Sequence, residues 1–456
     1  MKTLFEALQR SVTGKVVFIG LLILVLLIPI GMIRGLIFER MSLYDAARSQ
    51  IANAWGESQI VGGPILAVPF QFTRMSYAQP VTVIDELYLL PEALEVAGDV
   101  QVQELKRGIY RVPVYTARLS ITGRFAPPLI DGDYHDLKIL WDQAQLALPL
   151  SDARSIKEPV RLSVGESAAN FQPGGTRVAA FGHQLVAPYA ELGLESFDTA
   201  QAFSLSLVLG GTGTLRFLPL GDVTSVNLSS NWASPSFGGA YLPEDRNVED
   251  TGFSAQWRVL NLGRGYPSSW KKSNTPPQGI DASAFGVDLI TPIGIHEASM
   301  RAAKYAVLFI GLSFVAYFLF ELFAALRLHA LQYLLIGMAN CVFYLLLLAL
   351  SEQIGFGWSY IVSATASTSL IGTYSAAVLG SARRALPVIG LLAAMYGYLY
   401  VTLKAEDYAL LFGALGLFTV LAAFMFLTRR IDWHGVSFGA NEKAPDNPAP
   451  LVQLHA

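Results

Sequence analysis

The stretch VVFIGLLILVLLIPIGMI, residues 16–33, decides the class of fold. It holds 18 consecutive residues without a charged side chain, close to the shortest length with which a helix crosses a bilayer. A cleaved signal peptide would have a shorter apolar core and a small-residue cleavage site, which the following residues do not offer. We therefore interpret residues 16–33 as an uncleaved membrane anchor in which Pro29 is tolerated.

Five more apolar runs follow, and none begins before residue 305. Their approximate ranges are 305–323, 331–350, 358–380, 386–403 and 408–427. The chain is 53% hydrophobic and 15% charged, whereas a soluble domain carries about 25% charged residues. This composition excludes an ordinary soluble enzyme and a disordered chain. We predict an α-helical membrane protein with six transmembrane helices.

The basic residues that flank the predicted helices in short segments indicate the orientation of the chain. Eight of them lie on one side if the N-terminus is cytoplasmic: Lys2, Arg10, Lys15, Arg327, Arg383, Arg384, Arg429 and Arg430. The opposite short loops hold Glu352 and the mixed group Lys404, Glu406 and Asp407, while Arg34, Arg40, Arg301 and Lys304 flank the long segment, where the rule is weak. Residues 41–300 then lie outside the cytoplasm, and their 18 basic and 26 acidic side chains suit a soluble domain. We predict four domains: the cytoplasmic N-terminus with the first helix (1–40), the domain outside the cytoplasm (41–300), a five-helix bundle (301–430) and a cytoplasmic tail (431–456).

The segment 41–300 has the patterns of β-strands between helices 1 and 2. In residues 202–207, Phe203, Leu205 and Leu207 alternate with alanine and serine, which is typical of a strand with one buried face. We predict a large all-β, sandwich-like domain. A division of this domain into two subdomains near residues 160–200 is an alternative. The pair Gly210 and Gly211 predicts a turn. The polar residues 261–282 predict an exposed loop.

A search for catalytic motifs gives no convincing site. H-E-x-x-H, G-x-S-x-G and the phosphate-binding loop are absent, and the S-x-x-K pairs within residues 268–272 lack their partner motifs. The acidic run DGDYHD, residues 131–136, has a solvated turn as its simplest interpretation. With a single cysteine, Cys341, the chain forms no intramolecular disulfide. We predict no enzymatic activity, no cofactor and no nucleic-acid partner.

Ionisable residues beside the spans carry more information, because a charge is costly to bury in lipid. Glu321, Arg327 and His329 lie near the inner end of the second predicted span, and Glu352 lies at the outer end of the third. One interpretation is a proton- or ion-linked cluster of Glu321, Arg327 and His329. In the simpler interpretation, which we favour, Glu321 lies at interface depth and either pairs with Arg327 or extends its carboxylate to the interface. Asn340 is expected to link neighbouring helices.

The fourth predicted span contains a row of mostly small residues with a spacing of four. The row consists of Ala364, Thr368, Gly372, Ala376 and Gly380. Residues at this spacing lie on one helix face and allow another backbone to approach closely. Tight packing inside the bundle is the leading interpretation. A homo-oligomer interface through this helix and a polar translocation lining are the alternatives.

Long blocks of the sequence resemble the CreD family of bacterial inner-membrane proteins. The blocks are LLIPIGMIRGLIFER (26–40), VGGPILAVPF (61–70), the run from Gly211 to Trp257, RAAKYAVLFI (301–310), FELFAALRLHALQYLLIG (320–337), FYLLLLALSE (343–352) and FLTRRIDW (426–433). One departure is Ala330, where the family's R-L-H-P turn carries proline. The resemblance implies an inner membrane protein of a two-component regulon, with roles in envelope integrity, colicin tolerance and β-lactam stress. It implies no catalytic residue.

Three functional hypotheses remain open at this point. In the first, the periplasmic domain binds an envelope protein or cell-wall material, while the helices contact the lipid bilayer. Trp232, Phe237 and Tyr241 are candidate contacts, although core packing of these rings is favoured. In the second, the five-helix bundle acts as a transporter or channel. In the third, the domain is an enzyme on envelope polymers, which needs a carboxylate pair that the sequence does not place.

Overall fold

A computed structural model describes residues 12–429 except 77–78, 131–133, 166, 176–177, 179, 189–198, 290–293, 325–327 and 406–407. The chain divides into two compact units. Residues 1–43 and 293–456 form the first, which we call the helical unit, and residues 44–292 form the second, the β unit. The predicted tail 431–456 lies outside the described residues.

The described helices are α1 Val12–Trp55, α2 Ile295–Lys304, α3 Ala306–Ala324, α4 Ala330–Ile354, α5 Phe356–Val378, α6 Ala382–Lys404 and α7 Ala409–Thr428. At 1.5 Å per residue, the 44 residues of α1 extend for about 66 Å. The helix therefore continues well beyond the predicted anchor, and Pro29 lies inside it without ending it.

Among the described residues, four helices are long and apolar enough to cross a membrane: α1, α4, α6 and α7. The pair α2 and α3, bent by 43°, would bring the number to five. Helix α5 has a spanning length of 23 residues but does not meet the same apolar criterion, because serine, threonine and glycine occupy much of it. The sixth span therefore stays a prediction.

The strands run in chain order as β1 Gln59–Val61, β2 Ile65–Ser76, β3 Gln79–Leu89, β4 Ala93–Arg107, β5 Tyr110–Phe125, β6 His135–Ile139, β7 Gln145–Pro149, β8 Arg161–Val164, β9 Ser167–Asn170, β10 Gln172–Gly175, β11 Gln184–Pro188, β12 Gln201–Thr212, β13 Thr214–Phe217, β14 Val223–Ser230, β15 Pro235–Gly239, β16 Asp245–Glu249, β17 Gly252–Leu260, β18 Ser269–Lys271 and β19 Phe285–Leu289. Three sheets result. Their strand orders are β1-β13-β19-β15, β10-β11-β7-β2-β3-β18 with β6 beside β2, and β16-β17-β14-β4-β5-β12-β8-β9.

The eight-stranded sheet shows how alternation produces the core of the β unit. On β12 the side chains of Phe203, Leu205 and Leu207 are buried, while those of Ser204 and Ser206 are exposed. Successive residues of a strand point to opposite faces, so one face of the sheet is apolar and the other polar. The buried side chains of all three sheets form one contiguous cluster. The suggested division near residues 160–200 is therefore not seen in the described part of the chain.

The prediction of a turn at Gly210 and Gly211 is wrong, because both residues lie inside β12 and pair with β5. The structure gives the reason for the two glycines. A Cβ atom at Gly210 would lie 2.7 Å from the carbonyl oxygen of Trp55, and one at Gly211 would lie 2.2 Å from the ring of Tyr115. Here glycine marks a close approach within a strand and not a change of chain direction.

The segment 261–282 also differs from the predicted exposed loop, because its centre is anchored to the β unit. Arg264 is buried, and its guanidinium donates hydrogen bonds to the carbonyl oxygens of Leu220 at 2.8 Å and Gly221 at 2.7 Å and to Ser268 Oγ at 2.6 Å. A salt bridge of 3.2 Å joins the guanidinium to Asp222. Burial lowers the pKa of Arg264, without removing its charge.

The helical unit has its own core, and α1 belongs to it. The buried residues of α1 recur every three or four positions and face the other helices: Leu22, Leu26, Ile30, Ile33 and Ile37. A Cβ atom at Gly337 of α4 would lie only 2.2 Å from Cδ1 of Leu26. The first helix is therefore packed closely against α4 and is more than a detached anchor.

Candidate functional site

The helical unit contains a buried charge cluster centred on Glu321 of α3. The carboxylate is fully buried and forms a salt bridge with Lys15 of α1, whose side chain is 9% exposed. It also accepts hydrogen bonds from the hydroxyl of Tyr333 at 3.2 Å and from the backbone N–H of Leu328 at 3.1 Å. A buried carboxylate needs such partners, because an unpaired charge in a low-dielectric interior is very costly.

Of the other two predicted members of the cluster, the structure describes His329, which caps a helix. His329 is the N-cap of α4, where its Nδ1 accepts a hydrogen bond from the backbone N–H of Leu331 at 3.2 Å. Gln332 completes this capping box through the backbone N–H of His329. Ala330, the departure from the family pattern, is the first helical residue, a position that suits proline and alanine alike. Arg327 lies outside the described residues.

Lys15 is the functional candidate that the sequence did not single out. It was used only to orient the chain, although it precedes an apolar run and Glu321 ends another. In the predicted topology, Lys15 and Glu321 both lie near the cytoplasmic ends of their helices and therefore at a similar depth. This shared depth is the feature of the sequence that could have predicted their pairing.

Glu352 forms a second ion pair between α1 and the other helices. Its Oε1 lies 3.7 Å from Nε of Arg40, and its side chain is 12% exposed. Lys15 and Arg40 are 25 positions apart on one continuous helix, which corresponds to about 37 Å along the axis. The hydrocarbon core of a bilayer is about 30 Å thick. The spacing therefore suits one pair near each membrane surface.

The small-residue row of α5 packs within the chain at one point. A Cβ atom at Gly372 would lie 2.7 Å from Cγ1 of Ile389 on α6. Ala364, Thr368 and Ala376 are half-buried, while Gly380 follows the end of the helix at a φ of 67° and has no neighbour within 4 Å of an added Cβ. The close contact at Gly372 favours packing inside the bundle.

A second row on α5, which the sequence reasoning missed, is buried more deeply. It consists of Ser359, Ser363, Ser367 and Ser375. Near it, Asn340 of α4 donates to Ser313 of α3 at 3.2 Å and accepts from the hydroxyl of Tyr396 on α6, also at 3.2 Å. Asn340 therefore links three helices, as expected. These side chains give the interior of the helical unit a polar belt.

The β unit presents a different candidate site on the exposed face of its eight-stranded sheet. A shallow open groove of about 470 Å³ crosses the strands β17, β14 and β4. Its lining is short, with polar side chains set among apolar surface: Ala97, Gly98, Asp99, Asn227, Leu228, Ser229, Ser254, Ala255 and Gln256. Register pairs Asn227 with both Gln256 and Ala97, so the groove runs across neighbouring strands. The lining offers hydroxyl, amide and carboxylate groups for hydrogen bonding.

The aromatic residues proposed as contacts pack against the core of the β unit instead. Phe237 lies edge-on to Phe253 and Trp257, with ring centroids 5.6 and 5.7 Å apart. The ring of Tyr241 packs against Phe285, and Trp232 is half-buried. The core-packing interpretation of these rings is therefore confirmed.

The segments singled out for catalysis do not form a catalytic arrangement in the described residues. Lys271 lies on the short strand β18 and donates to the hydroxyl of Tyr134 at 2.5 Å, so the S-x-x-K pairs are not on a helix. Ser268 is bonded to Asp222 and Arg264. Asp131 and Asp133 lie outside the described residues. No cluster of three or more His, Cys, Asp or Glu that could hold a metal occurs in the part of the chain that the structure describes.

Several helices that are apolar and long enough to cross a bilayer, together with a large β-sheet unit, define a membrane protein with a folded β-sheet unit in the same chain. The family model of the inner membrane protein CreD matches residues 11–434. The inner membrane protein CreD of Escherichia coli (strain K12) is 34% identical over 429 residues, which cover 91% of this chain and 92% of that protein. The chain belongs to the CreD family.

Proposed function

We propose that this CreD-family protein supports the integrity of the cell envelope by binding a polar envelope partner through its β unit. In this proposal the chain crosses the inner membrane six times, both termini are cytoplasmic, and the β unit lies in the periplasm. The distribution of basic flanking residues supports the orientation. The colicin tolerance and β-lactam response implied by the family resemblance would follow from the same binding.

The groove on the eight-stranded sheet is the observation that carries this proposal. Polar side chains on an outward sheet face are enough to keep a domain soluble. The outward face of the eight-stranded sheet has in addition a shallow groove lined by short side chains. Short side chains leave the backbone and the polar groups of Asp99 and Asn227 accessible to a partner. The groove contains no aromatic side chain, which favours hydrogen bonding over ring stacking.

A long charged side chain in the groove is expected to weaken this binding without unfolding the β unit. Ser254→Arg places a guanidinium in the lining at an exposed position, and a desolvated unpaired charge is expected to weaken binding about tenfold or more. The measurement is complementation of an envelope-stress phenotype in a deletion strain, with protein abundance and unfolding temperature recorded.

The matched control is Ser204→Arg, the same change at an exposed serine on the same face. Ser204 lies on β12, four strands from β17, which is about 19 Å away. We expect full complementation by this variant. Equal activity of the two variants at normal abundance would refute the groove as the binding site.

A second candidate function, transport through the helical unit, is favoured by the buried Lys15–Glu321 pair and the polar belt. Its test uses a variant without the charges, Lys15→Met with Glu321→Leu. Removing both partners avoids an unpaired buried charge, so the fold is expected to persist. We expect this double variant to complement the deletion strain. Loss of complementation by a folded, abundant double variant would instead support an ion-coupled role for the pair.

A further inference from the structure

Two hydroxyl groups inside the helical unit have no hydrogen-bond partner among the described residues. They belong to Tyr344 of α4, which is 2% exposed, and to Ser363 of α5, which is fully buried. More than about 90% of buried polar groups in proteins are paired with protein or with ordered water. Two unpaired hydroxyls on neighbouring helices therefore indicate a partner that the described residues do not supply.

The position of these groups excludes the usual external partners. Tyr344 lies 14 residues into α4 and Ser363 lies 7 residues into α5, which is about 21 and 10 Å along the two helix axes. Both distances fall within a hydrocarbon core of about 30 Å. Lipid headgroups and bulk water are absent at that depth, so a hydroxyl that lacks a protein partner needs a bound one.

The ring of Tyr344 packs against Phe343 in the apolar core of the helical unit, and uncharged polar groups lie near its hydroxyl. The hydroxyls of Tyr360 and Tyr396 and the thiol of Cys341 lie within electrostatic range of its own hydroxyl. The hydroxyl of Tyr360 donates to the backbone carbonyl of Tyr396 at 2.6 Å, so it is already paired. Hydroxyl and thiol groups without a carboxylate suit a small neutral ligand that both donates and accepts hydrogen bonds.

We propose that the polar belt of the helical unit binds ordered water at Tyr344 and Ser363. Water fits the chemistry because it makes two to four hydrogen bonds and supplies both a donor and an acceptor to each hydroxyl. This inference is independent of the groove on the β unit and of the function proposed for it.

Radiolytic hydroxyl-radical labelling of the full-length protein in detergent tests the proposal directly. Radicals formed from bound water modify adjacent side chains even where bulk solvent does not reach. We expect Tyr344 to be modified severalfold faster than Tyr317, which is equally buried and has a hydroxyl paired with Ser375. Modification of Tyr344 no faster than that of Tyr317 would overturn the proposal.

A variant gives a second, independent readout. If water is bound to Tyr344, the change Tyr344→Phe removes one of the hydrogen-bond partners of that water. We then expect the unfolding temperature to fall by about 2–4 °C. Without bound water, the same change removes an unsatisfied hydroxyl, so the unfolding temperature would stay constant or rise. Tyr408→Phe, at a side chain that is 62% exposed, is the matched control and should change nothing. If Tyr344→Phe fails to fold, Ser363→Ala applies the same test to the water proposed at Ser363.

Discussion

Replacing Glu321 by glutamine is expected to lower the free energy of unfolding of the helical unit by about 3–5 kcal/mol. The carboxylate is fully buried and compensates the ammonium group of Lys15, which is itself almost completely buried. An amide keeps the shape and still accepts the hydrogen bond from Tyr333, but it removes the negative charge that pairs with the buried lysine. Thermal unfolding of the purified full-length protein in detergent measures the loss.

Two controls make this expectation specific to the buried charge. Glu352→Gln removes the pair with Arg40, whose side chain is 42% exposed, so we expect a loss of at most about 1 kcal/mol. Lys15→Met combined with Glu321→Leu removes both charges and should recover most of the stability. If the Glu321→Gln variant were as stable as the unchanged protein, the charge of Lys15 would have to reach water or another partner.

Replacing Arg264 by methionine is expected to destabilise the β unit by about 3–5 kcal/mol. The guanidinium donates hydrogen bonds to the carbonyl oxygens of Leu220 and Gly221 and pairs with Asp222. Without it, Gly221 keeps a bond from the hydroxyl of Thr224 at 3.4 Å and Asp222 keeps one from Ser268, but neither of these donors is charged. Methionine fills a similar volume, but it leaves two buried carbonyls and a carboxylate short of partners. Denaturant unfolding followed by tryptophan fluorescence in full-length protein measures the effect.

The same change at an exposed arginine provides the comparison. Arg118→Met on β5 is expected to alter stability by less than about 0.5 kcal/mol, because surface substitutions rarely do more. Arg264→Lys should recover only part of the loss, since one ammonium group does not reproduce the planar fork of the guanidinium. A loss for Arg264→Met no larger than that for Arg118→Met would show that the segment 261–282 is held by other contacts.

The sequence predicts those parts of the fold that depend on local periodicity. The apolar runs locate helices, and the alternation at residues 202–207 identifies the buried face of β12. The two glycines at 210 and 211 were misread because a turn and a close approach both exclude a side chain, and only the neighbouring Trp55 and Tyr115 distinguish them. The polar segment 261–282 was misread because the partners of Arg264 are about 40 residues away in the chain.

Much of the candidate site was beyond the reach of the sequence for a related reason. Glu321 was identified because a carboxylate in an apolar run is unusual, yet its partner Lys15 is separated from it by more than 300 residues. The groove depends on the register of three strands from distant parts of the chain, and none of its residues is distinctive alone. Contacts between residues that are far apart in the sequence therefore determine the features that local patterns do not predict.

The buried serines of α5 have a consequence for the biosynthesis of the protein. During membrane insertion each segment is sorted by its own hydrophobicity, and a segment rich in serine and threonine gains little from entering lipid. On the six-span topology that we propose, α5 would therefore depend on its neighbours α4 and α6, which are apolar enough to insert alone. Helices α4, α5 and α6 would then enter the membrane together. The serine row of α5 would already be packed against its neighbours when the group contacts lipid.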